Sequence, residues 1–261
     1  MEDILGLVKR KGEVFDFIHV ANAMNKIVRA SRRGTGERSL KLKGDRLSRD
    51  PRFAQLIDLA LFHCKSFRAQ EGANVLHALG VFHADLGAMA VDEKLAPQLG
   101  EMVERVASKM KPQEVANTLN ALCKMDAAAA AVLRSGWAGL ARAAERTASE
   151  MDPQEVAITL HAFGRLDVAA AAVSELGWEG LADAVERTAR EMNPQGVAMT
   201  LRAMAVLPAV ADELSSVARK HLEAAAEREA PNMTADGRRM SLRGCEKLNL
   251  RTPRMDNDLL Q

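Results

Sequence analysis

A block of ten residues occurs three times in this chain at a fixed spacing, and this repetition limits the fold more than any other feature. The block reads MKPQEVANTL from Met110, MDPQEVAITL from Met151 and MNPQGVAMTL from Met192, so the two intervals are equal. A second block, which begins at Trp137 and again at Trp178, has the same interval. Repetition at a period of roughly 20–50 residues is typical of proteins that stack one supersecondary unit.

Each copy of the first block has the pattern of an amphipathic helix. A proline such as Pro153 falls in the first turn, where its missing N–H leaves no helical hydrogen bond unmade. Asp152, just before it, is of the type that caps a helix amino terminus. Val115, Leu119 and Leu122 are spaced i, i+4 and i+7, which predicts one apolar stripe. We call this first helix of each unit helix A and the second, which follows from Trp137 or Trp178, helix B.

The fold class predicted is all-α, an α-solenoid of about five helix–turn–helix repeats with a period of about 41 residues. Segments 20–25 and 73–79 are diverged copies upstream of the three clear ones. The aromatic content of 3% and the absence of Tyr also disfavour a β-rich fold. The helical repeat domain is predicted over 1–230, with repeats near 10–67, 68–110, 111–151, 152–192 and 193–230. A basic tail or a short helix around 236–248 is predicted within 231–261.

No pattern of catalytic chemistry is present. The sequence has no nucleotide-binding glycine loop, no serine nucleophile motif and no HExxH zinc motif. Cys64, Cys123 and Cys245 are far apart and form no CxxC pair, and His63 with Cys64, His77 and His83 matches no ligand spacing. We therefore predict a protein that is not an enzyme, without a metal, a cofactor or a small-molecule substrate. No apolar run approaches the roughly 20 residues of a membrane span, so no membrane partner is expected.

The helix A pattern Pro-Gln-Glu-Val-Ala-Asn-Thr-Leu-x-Ala-Leu resembles the octotricopeptide repeat family and the related helical repeats of FAST-kinase-like and RAP-domain organelle proteins. Residues 112–124 carry the best match, 153–166 and 194–207 good ones, and 20–28 and 73–80 partial ones. The resemblance extends over roughly residues 10–225. The tryptophan usual in the family's hallmark is replaced in every copy, and no RAP-like segment follows residue 230.

This resemblance implies a noncatalytic RNA-binding protein of plastids or mitochondria, acting in RNA processing, stability or translation regulation. The acidic start, Met-Glu-Asp, shows neither a signal peptide nor a transit peptide. From the sequence alone, without the resemblance, a cytoplasmic location is the expectation.

Two columns of helix A residues are the candidate RNA-binding face. One equivalent position in the five copies is always polar and never acidic, which suits a ligand that carries phosphate. The position four residues later lies on the same helix face and is cationic in three copies. The first column is Asn25, His77, Asn120, His161 and Arg202; the cations of the second are Arg29, Lys124 and Arg165. The ligand in this interpretation is single-stranded RNA, with polar groups meeting bases and cations meeting phosphates.

Two alternatives to this interpretation remain open. A soluble solenoid has a polar solvent face in any case, and solenoids also serve as protein–protein interaction scaffolds. The net charge of the middle of the chain disfavours RNA binding. Residues 1–50 carry +5 and residues 231–261 carry +2, so with a total of +1 residues 51–230 carry −6. Trp137 and Trp178 are predicted to be packing anchors, and the stretch from Ser31 to Asp50, with Gly34-Thr-Gly36, a loop or hinge.

Overall fold

The computed structural model describes residues 1–32, 37–87 and 94–252, and every regular element in these ranges is helical. The all-α class is therefore confirmed. The helices are α1 (Glu2–Lys11), α2 (Phe17–Arg32), α3 (Glu37–Ser48), α4 (Pro51–Phe62), α5 (Ala69–Gly80), α6 (Leu95–Val106), α7 (Pro112–Leu122), α8 (Asp126–Ala131), α9 (Arg134–Thr147), α10 (Pro153–Phe163), α11 (Asp167–Ala170), α12 (Glu175–Thr188), α13 (Pro194–Val206), α14 (Pro208–Glu213), α15 (Ser216–Glu229) and α16 (Ala235–Leu248).

The chain forms two compact units. Unit 1 comprises Met1–Met110 with Asn120–Trp137, and unit 2 comprises Lys111–Leu119 with Ala138–Gln261. In unit 1, α2 packs on α5 and α4, and α6 packs on α8. In unit 2, α13 packs between α10 and α16, while α12 packs on α14 and α15.

The A helices of unit 2 are parallel and very close. A Cβ built on Gly196, near the start of α13, would lie 3.7 Å from the Cβ of Ala157, near the start of α10. At the other end, a Cβ on Gly164 would lie 3.0 Å from a methyl group of Val206. Starts therefore meet starts and ends meet ends. Small residues at the contact, Gly196 and Ala157, allow this approach.

Helix starts follow the predicted capping chemistry. The Asp152 carboxylate accepts a hydrogen bond from the backbone N–H of Glu155 at 2.8 Å, and the Glu155 carboxylate accepts one from the N–H of Asp152 at 2.9 Å. This reciprocal pair is a capping box, and it fixes the first turn of α10. Asn193 caps α13 by accepting a hydrogen bond from the N–H of Gly196 at 2.8 Å, without the reciprocal bond, since Gly196 has no side chain.

The connection between helix A and helix B is not the turn that the sequence predicted. Short helices fill it: α8, α11 and α14 each lie between a long A helix and a long B helix. Their buried side chains, such as Ala128, Ala169 and Val210, add to the core. These three copies thus have three helices each, because the connection is a good helix former and has core surface to cover.

The predicted loop between Ser31 and Asp50 is also wrong over most of its length. Residues Glu37–Ser48 form α3, and Leu47 is buried. The close fit of Gly44 explains why this helix has a fixed place, since a Cβ there would meet the backbone carbonyl of Leu86 at 1.7 Å. The Gly34-Thr-Gly36 segment lies outside the described residues.

Of the two alternatives for residues 231–261, a basic tail or a short helix around 236–248, the structure has the helix, α16. It packs along α13, and a Cβ on Gly244 would lie only 2.1 Å from the backbone oxygen of Leu201. Met233, before α16, lies one repeat period after Met192, and Thr234 caps the helix as Asn193 caps α13. The spacing thus continues through α16, although the proline of the earlier copies is missing.

A Glu-Arg pair recurs on the B helices, and in unit 2 it connects neighbouring copies. Arg187 donates hydrogen bonds to the carbonyls of Ala148 and Met151 at 3.0 and 2.7 Å, at the end of the preceding B helix. Glu186, beside it, accepts a hydrogen bond from the Ser215 hydroxyl at the start of the next B helix. Carbonyls left open at helix ends are satisfied in this way. The pair occurs at 104–105, 145–146, 186–187 and 227–228, so it recurs once in every repeat period.

The two tryptophans are packing residues, as predicted. Trp137 is 2% exposed and Trp178 is 8% exposed. The Trp178 ring packs edge-on against Phe163, with centroids 5.6 Å apart, and so connects α12 to α10. Neither indole is available to stack on a base.

Candidate nucleic-acid interface

The first predicted column occupies the exposed edge of the A helices. Each member directly follows a fully buried residue of helix A: Met24, Leu76, Leu119, Leu160 and Leu201 are all 0% exposed. The buried neighbours fix the rotation of each helix, and the column residues consequently lie at the border between core and solvent. Asn25, His77, Asn120 and His161 are half-buried, and Arg202 is exposed.

In unit 1, the column residue His77 lies beside an ion-pair cluster centred on Asp85. The carboxylate of Asp85 accepts hydrogen bonds from Arg32 Nη2 at 2.5 Å and from Lys124 Nζ at 3.0 Å. A single π-helical turn, Val81–Asp85, continues α5 and brings Asp85 to this position. Arg32, which was not predicted, is the α2 cation that contacts Asp85, whereas the predicted Arg29 is exposed and bonds to none of these groups.

Protonation in this cluster follows from burial and charge. Burial opposes ionisation of Asp85, yet the hydrogen bonds from Arg32 and Lys124 hold the pKa of its carboxyl below the ordinary value. Burial lowers the pKa of His77, and the charges of Arg32 and Lys124 lower it further against the opposing charge of Asp85. The cations of unit 1 are therefore partly neutralised by a carboxylate.

In unit 2, the corresponding cluster carries more positive charge. His161 lies near the end of α10, with Arg165 one turn later on the same chain and Arg202 on the adjacent α13. Burial lowers the pKa of His161 to about 4, with Arg165 and Arg202 adding to the effect. Its imidazole is neutral at physiological pH and has one donor and one acceptor nitrogen.

The arginines here have few partners within the protein. Arg202 Nη1 lies 3.0 Å from Met240 Sδ on α16. Within the part of the chain that the structure describes, no carboxylate forms an ion pair with Arg165 or Arg202. Their guanidinium groups thus keep donors for a ligand, and Arg can bind phosphate through two parallel hydrogen bonds.

The structure adds two cations to this face, from the segment that the sequence predicted to be a basic tail or a short helix. Arg243 and Lys247 lie on α16, one repeat period after Arg202 and Val206, and both are exposed. They therefore continue the two columns. The signal that would have found them is the methionine before the last four A helices, which recurs at 110, 151, 192 and 233.

Comparison with known proteins adds one family. A family model described as "Protein of unknown function (DUF1601)" matches residues 92–119 and 179–201. No curated protein matches the chain.

The two matched segments are in phase with the repeat. They end at Leu119 and Leu201, which occupy the same position in copies two repeat periods apart. The first covers α6 and ends within α7, and the second runs from within α12 to Leu201 within α13. Both stop one residue before a column position, Asn120 or Arg202, so the match concerns the framework of the repeat and not the polar face.

The helices of this fold are short or polar by the standard of membrane spans. Across the described ranges, none is both long enough and apolar enough to cross a bilayer.

Proposed function

We propose that the protein is a noncatalytic RNA-binding α-solenoid that holds single-stranded RNA along the carboxyl-terminal halves of its A helices. The observation that carries this proposal is the cluster of His161, Arg165 and Arg202 in unit 2. Two guanidinium groups there have no carboxylate partner in the described part of the chain, and they lie beside a neutral imidazole. Arginine suits phosphate, and a neutral imidazole suits a base edge.

The distribution of charge in unit 2 supports this proposal despite the acidic total of the middle segment. Much of the acidity lies on a B helix: α12 carries Glu175, Glu179, Asp183 and Glu186 against Arg187 alone. On α10 the one carboxylate, Glu155, is in the first turn, and α13 has none. The later turns of these A helices are consequently free of negative side chains that would repel phosphate.

The resemblance to octotricopeptide and related repeats extends the proposal to a role. We assign the protein to processing, stability or translation of transcripts in a plastid or mitochondrion. The repeat period of about 41 residues and the stacking of A helices in unit 2 are in keeping with a solenoid reader, in which successive copies meet successive nucleotides.

The direct test is binding of the purified chain to a labelled 20-nucleotide RNA of random sequence across a salt series, measured by fluorescence anisotropy. For single strands the slope of log affinity against log salt is about 0.7 for each phosphate neutralised. If Arg165, Arg202 and Arg243 each bind one phosphate, unit 2 contributes a slope of about 2. A salt-independent signal, or no binding at low salt, would disprove the proposal.

Matched charge reversals locate the site. The double variant R165E/R202E is expected to weaken binding at least tenfold and to reduce the salt slope by about 1.4, which is the contribution of two phosphate contacts. The control R142E/R190E makes the same charge change at exposed positions on and just after B helices. Equal losses in the two variants would mean that only net charge matters and that the A-helix face is not the site.

A further inference from the structure

A cleft of about 230 Å³ opens between the amino-terminal halves of α10 and α13 in unit 2. It lies at the other end of these helices from the basic cluster: Asp152 precedes Arg165 by about 13 residues, or about 20 Å of helix at roughly 1.5 Å per residue. The face proposed for RNA does not include it. The lining residues are Asp152, Pro153, Gln154, Ala157, Ile158, Glu191, Asn193, Gln195, Gly196 and Met199.

The cleft has an apolar floor at a position where earlier copies are polar. Asn117 occupies the position in α7, whereas Ile158 occupies it in α10, Met199 in α13 and Met240 in α16. The last three side chains are all partly exposed. Apolar side chains that recur on the solvent side of successive helices indicate a contact surface rather than chance substitution.

The rim of the cleft is acidic. Asp152 and Glu191 are exposed carboxylates, one beside each helix start, and the other polar lining groups are the amides Gln154, Asn193 and Gln195. No Lys or Arg is among the lining residues. Nearby, burial raises the pKa of Glu155, with the charge of Asp152 adding to it against the hydrogen bond from the Asp152 backbone. This potential repels phosphate and attracts a cation.

We propose that this cleft binds a lysine or arginine side chain from a basic segment of a partner protein. The aliphatic stem lies on Ile158 and Met199, and the cationic end reaches Asp152 and Glu191. Long basic side chains bind in this way, with the stem on apolar surface and the charge at its rim. The volume is below the roughly 300 Å³ of pockets for drug-sized ligands, so one side chain fits better than a whole small molecule.

Methyl NMR on the full chain tests this directly. With methionine methyl groups labelled with ¹³C, the Met199 resonance reports on the floor of the cleft, and it is assigned from the spectrum of Met199→Leu. The probe is the peptide acetyl-Gly-Arg-Leu-Arg-Gly-amide, and its control is the same peptide with Glu in place of both Arg. A saturable shift of Met199 with the Arg peptide alone is expected.

Charge variants then separate the cleft from general attraction. D152N/E191Q removes both carboxylates, and Asn at 152 keeps the helix cap because Asn caps as well as Asp. Binding of the Arg peptide is expected to weaken about tenfold, which corresponds to a loss of about 1.4 kcal/mol in affinity. The control E175Q/E179Q removes the same charge from α12 and is expected to change affinity less than about twofold.

Three outcomes overturn the proposal: no shift of Met199 with the Arg peptide, an equal affinity in D152N/E191Q, or a shift of Met199 caused by a ten-nucleotide oligo(U) instead. The last would assign the cleft to RNA. Since the peptide titration contains no RNA, failure of the RNA proposal leaves this one standing, and the reverse also holds.

Discussion

Replacing Gly244 with alanine is expected to destabilise the protein, although alanine is the better helix former. Gly244 lies inside α16, against the backbone of α13. A Cβ there would lie 2.1 Å from the oxygen and 2.6 Å from the carbonyl carbon of Leu201. Even a weak C–H···O contact needs about 3.3 Å. The two helices must therefore separate by about 1 Å or distort, because both contacting groups are backbone.

The size of the effect follows from two opposing terms. Overpacking of this kind costs about 1–3 kcal/mol, and a backbone contact that cannot rotate away belongs at the upper end. The gain in helix propensity from Gly to Ala offsets about 1 kcal/mol. The net loss in unfolding free energy is thus about 2 kcal/mol. At about 2–4 °C for each kcal/mol in a chain of this size, the Tm is expected to fall by about 4–8 °C.

Gly180→Ala is the matched control. Gly180 lies in the middle of α12, and its added Cβ would meet Ala148 at 3.9 Å, an ordinary contact. Only the propensity gain of about 1 kcal/mol applies, so the Tm is expected to rise by about 2–4 °C. The same chemical change therefore has opposite signs at the two sites.

Circular dichroism during thermal and urea unfolding measures both variants. Because stacked repeats can open in parts, hydrogen exchange of the α16 amides should accompany it and show faster exchange in Gly244→Ala. If Gly244→Ala is as stable as the wild type or more so, with unchanged exchange in α16, the close contact of α13 and α16 is wrong. The placement of Arg243 and Lys247 on the RNA face is then wrong as well.

Three further predictions concern the hydrogen bonds of Arg187 and the clusters around His161 and Asp85. Arg187→Met removes two hydrogen bonds to helix-end carbonyls and is expected to lower unfolding free energy by about 1 kcal/mol in urea titrations; no change would mean that this bridge is only incidental. His161→Asn is expected to flatten the pH dependence of stability. In the folded protein the pKa of His161 is about 4, below the value of about 6.5 in the unfolded chain, so the unfolded chain binds the proton first. The wild type therefore loses stability as the pH falls from about 6.5 to about 4. Parallel losses in the two proteins between about pH 7 and pH 4.5 would contradict this. Asp85→Asn frees Arg32 and Lys124 and is expected to raise RNA affinity and to steepen the salt slope by up to about 1.4; weaker binding by a folded variant would show that these cations do not face RNA.

The parts of the fold that the sequence predicted are those with strong local signals. Helix α10 starts at the predicted proline, after the predicted cap Asp152, and its apolar residues are buried as the spacing required. These signals act within one turn or one helix face, so they are readable without tertiary information. The all-α class follows from them.

The errors occurred where tertiary contacts decide. The alanine-rich segment Asp126–Ala131 is too short to be stable as an isolated helix, and it forms α8 because α6 packs against it. Helix α3 is poor in apolar residues and follows two glycines, so its sequence is like that of a loop; the close approach of Gly44 to Leu86 is what places it. The short helix around 236–248, by contrast, was one of the two predicted alternatives, and α16 occupies this range; it lacks the proline signature, but Met233 retains the period.

The sequence predicted which kinds of side chain occupy the candidate site, but not which of them form ion pairs. Equivalent polar positions were visible from the period alone. The neutralising role of Asp85 was not, because a π-helical turn far along the chain from Arg32 brings the two together. Sequence reasoning therefore treated the copies as alike, whereas in the structure Lys124 of unit 1 pairs with Asp85, and Arg165 and Arg202 of unit 2 pair with no carboxylate among the described residues.

Cations near the ends of helices have a simpler explanation, which is attraction to the negative end of the helix dipole. That explanation applies equally to A and B helices, and the two rows differ in how their arginines are used. On the B helices, Arg105, Arg187 and Arg228 donate to carbonyls of a neighbouring helix end. In the A row, Lys124 pairs with Asp85 and Arg202 contacts Met240, whereas the guanidinium groups of Arg165 and Arg243 donate to no group in the described part of the chain. The helix dipole does not account for this difference between the two rows, and the side-chain donors of Arg165 and Arg243 are the groups that the RNA proposal assigns to phosphate.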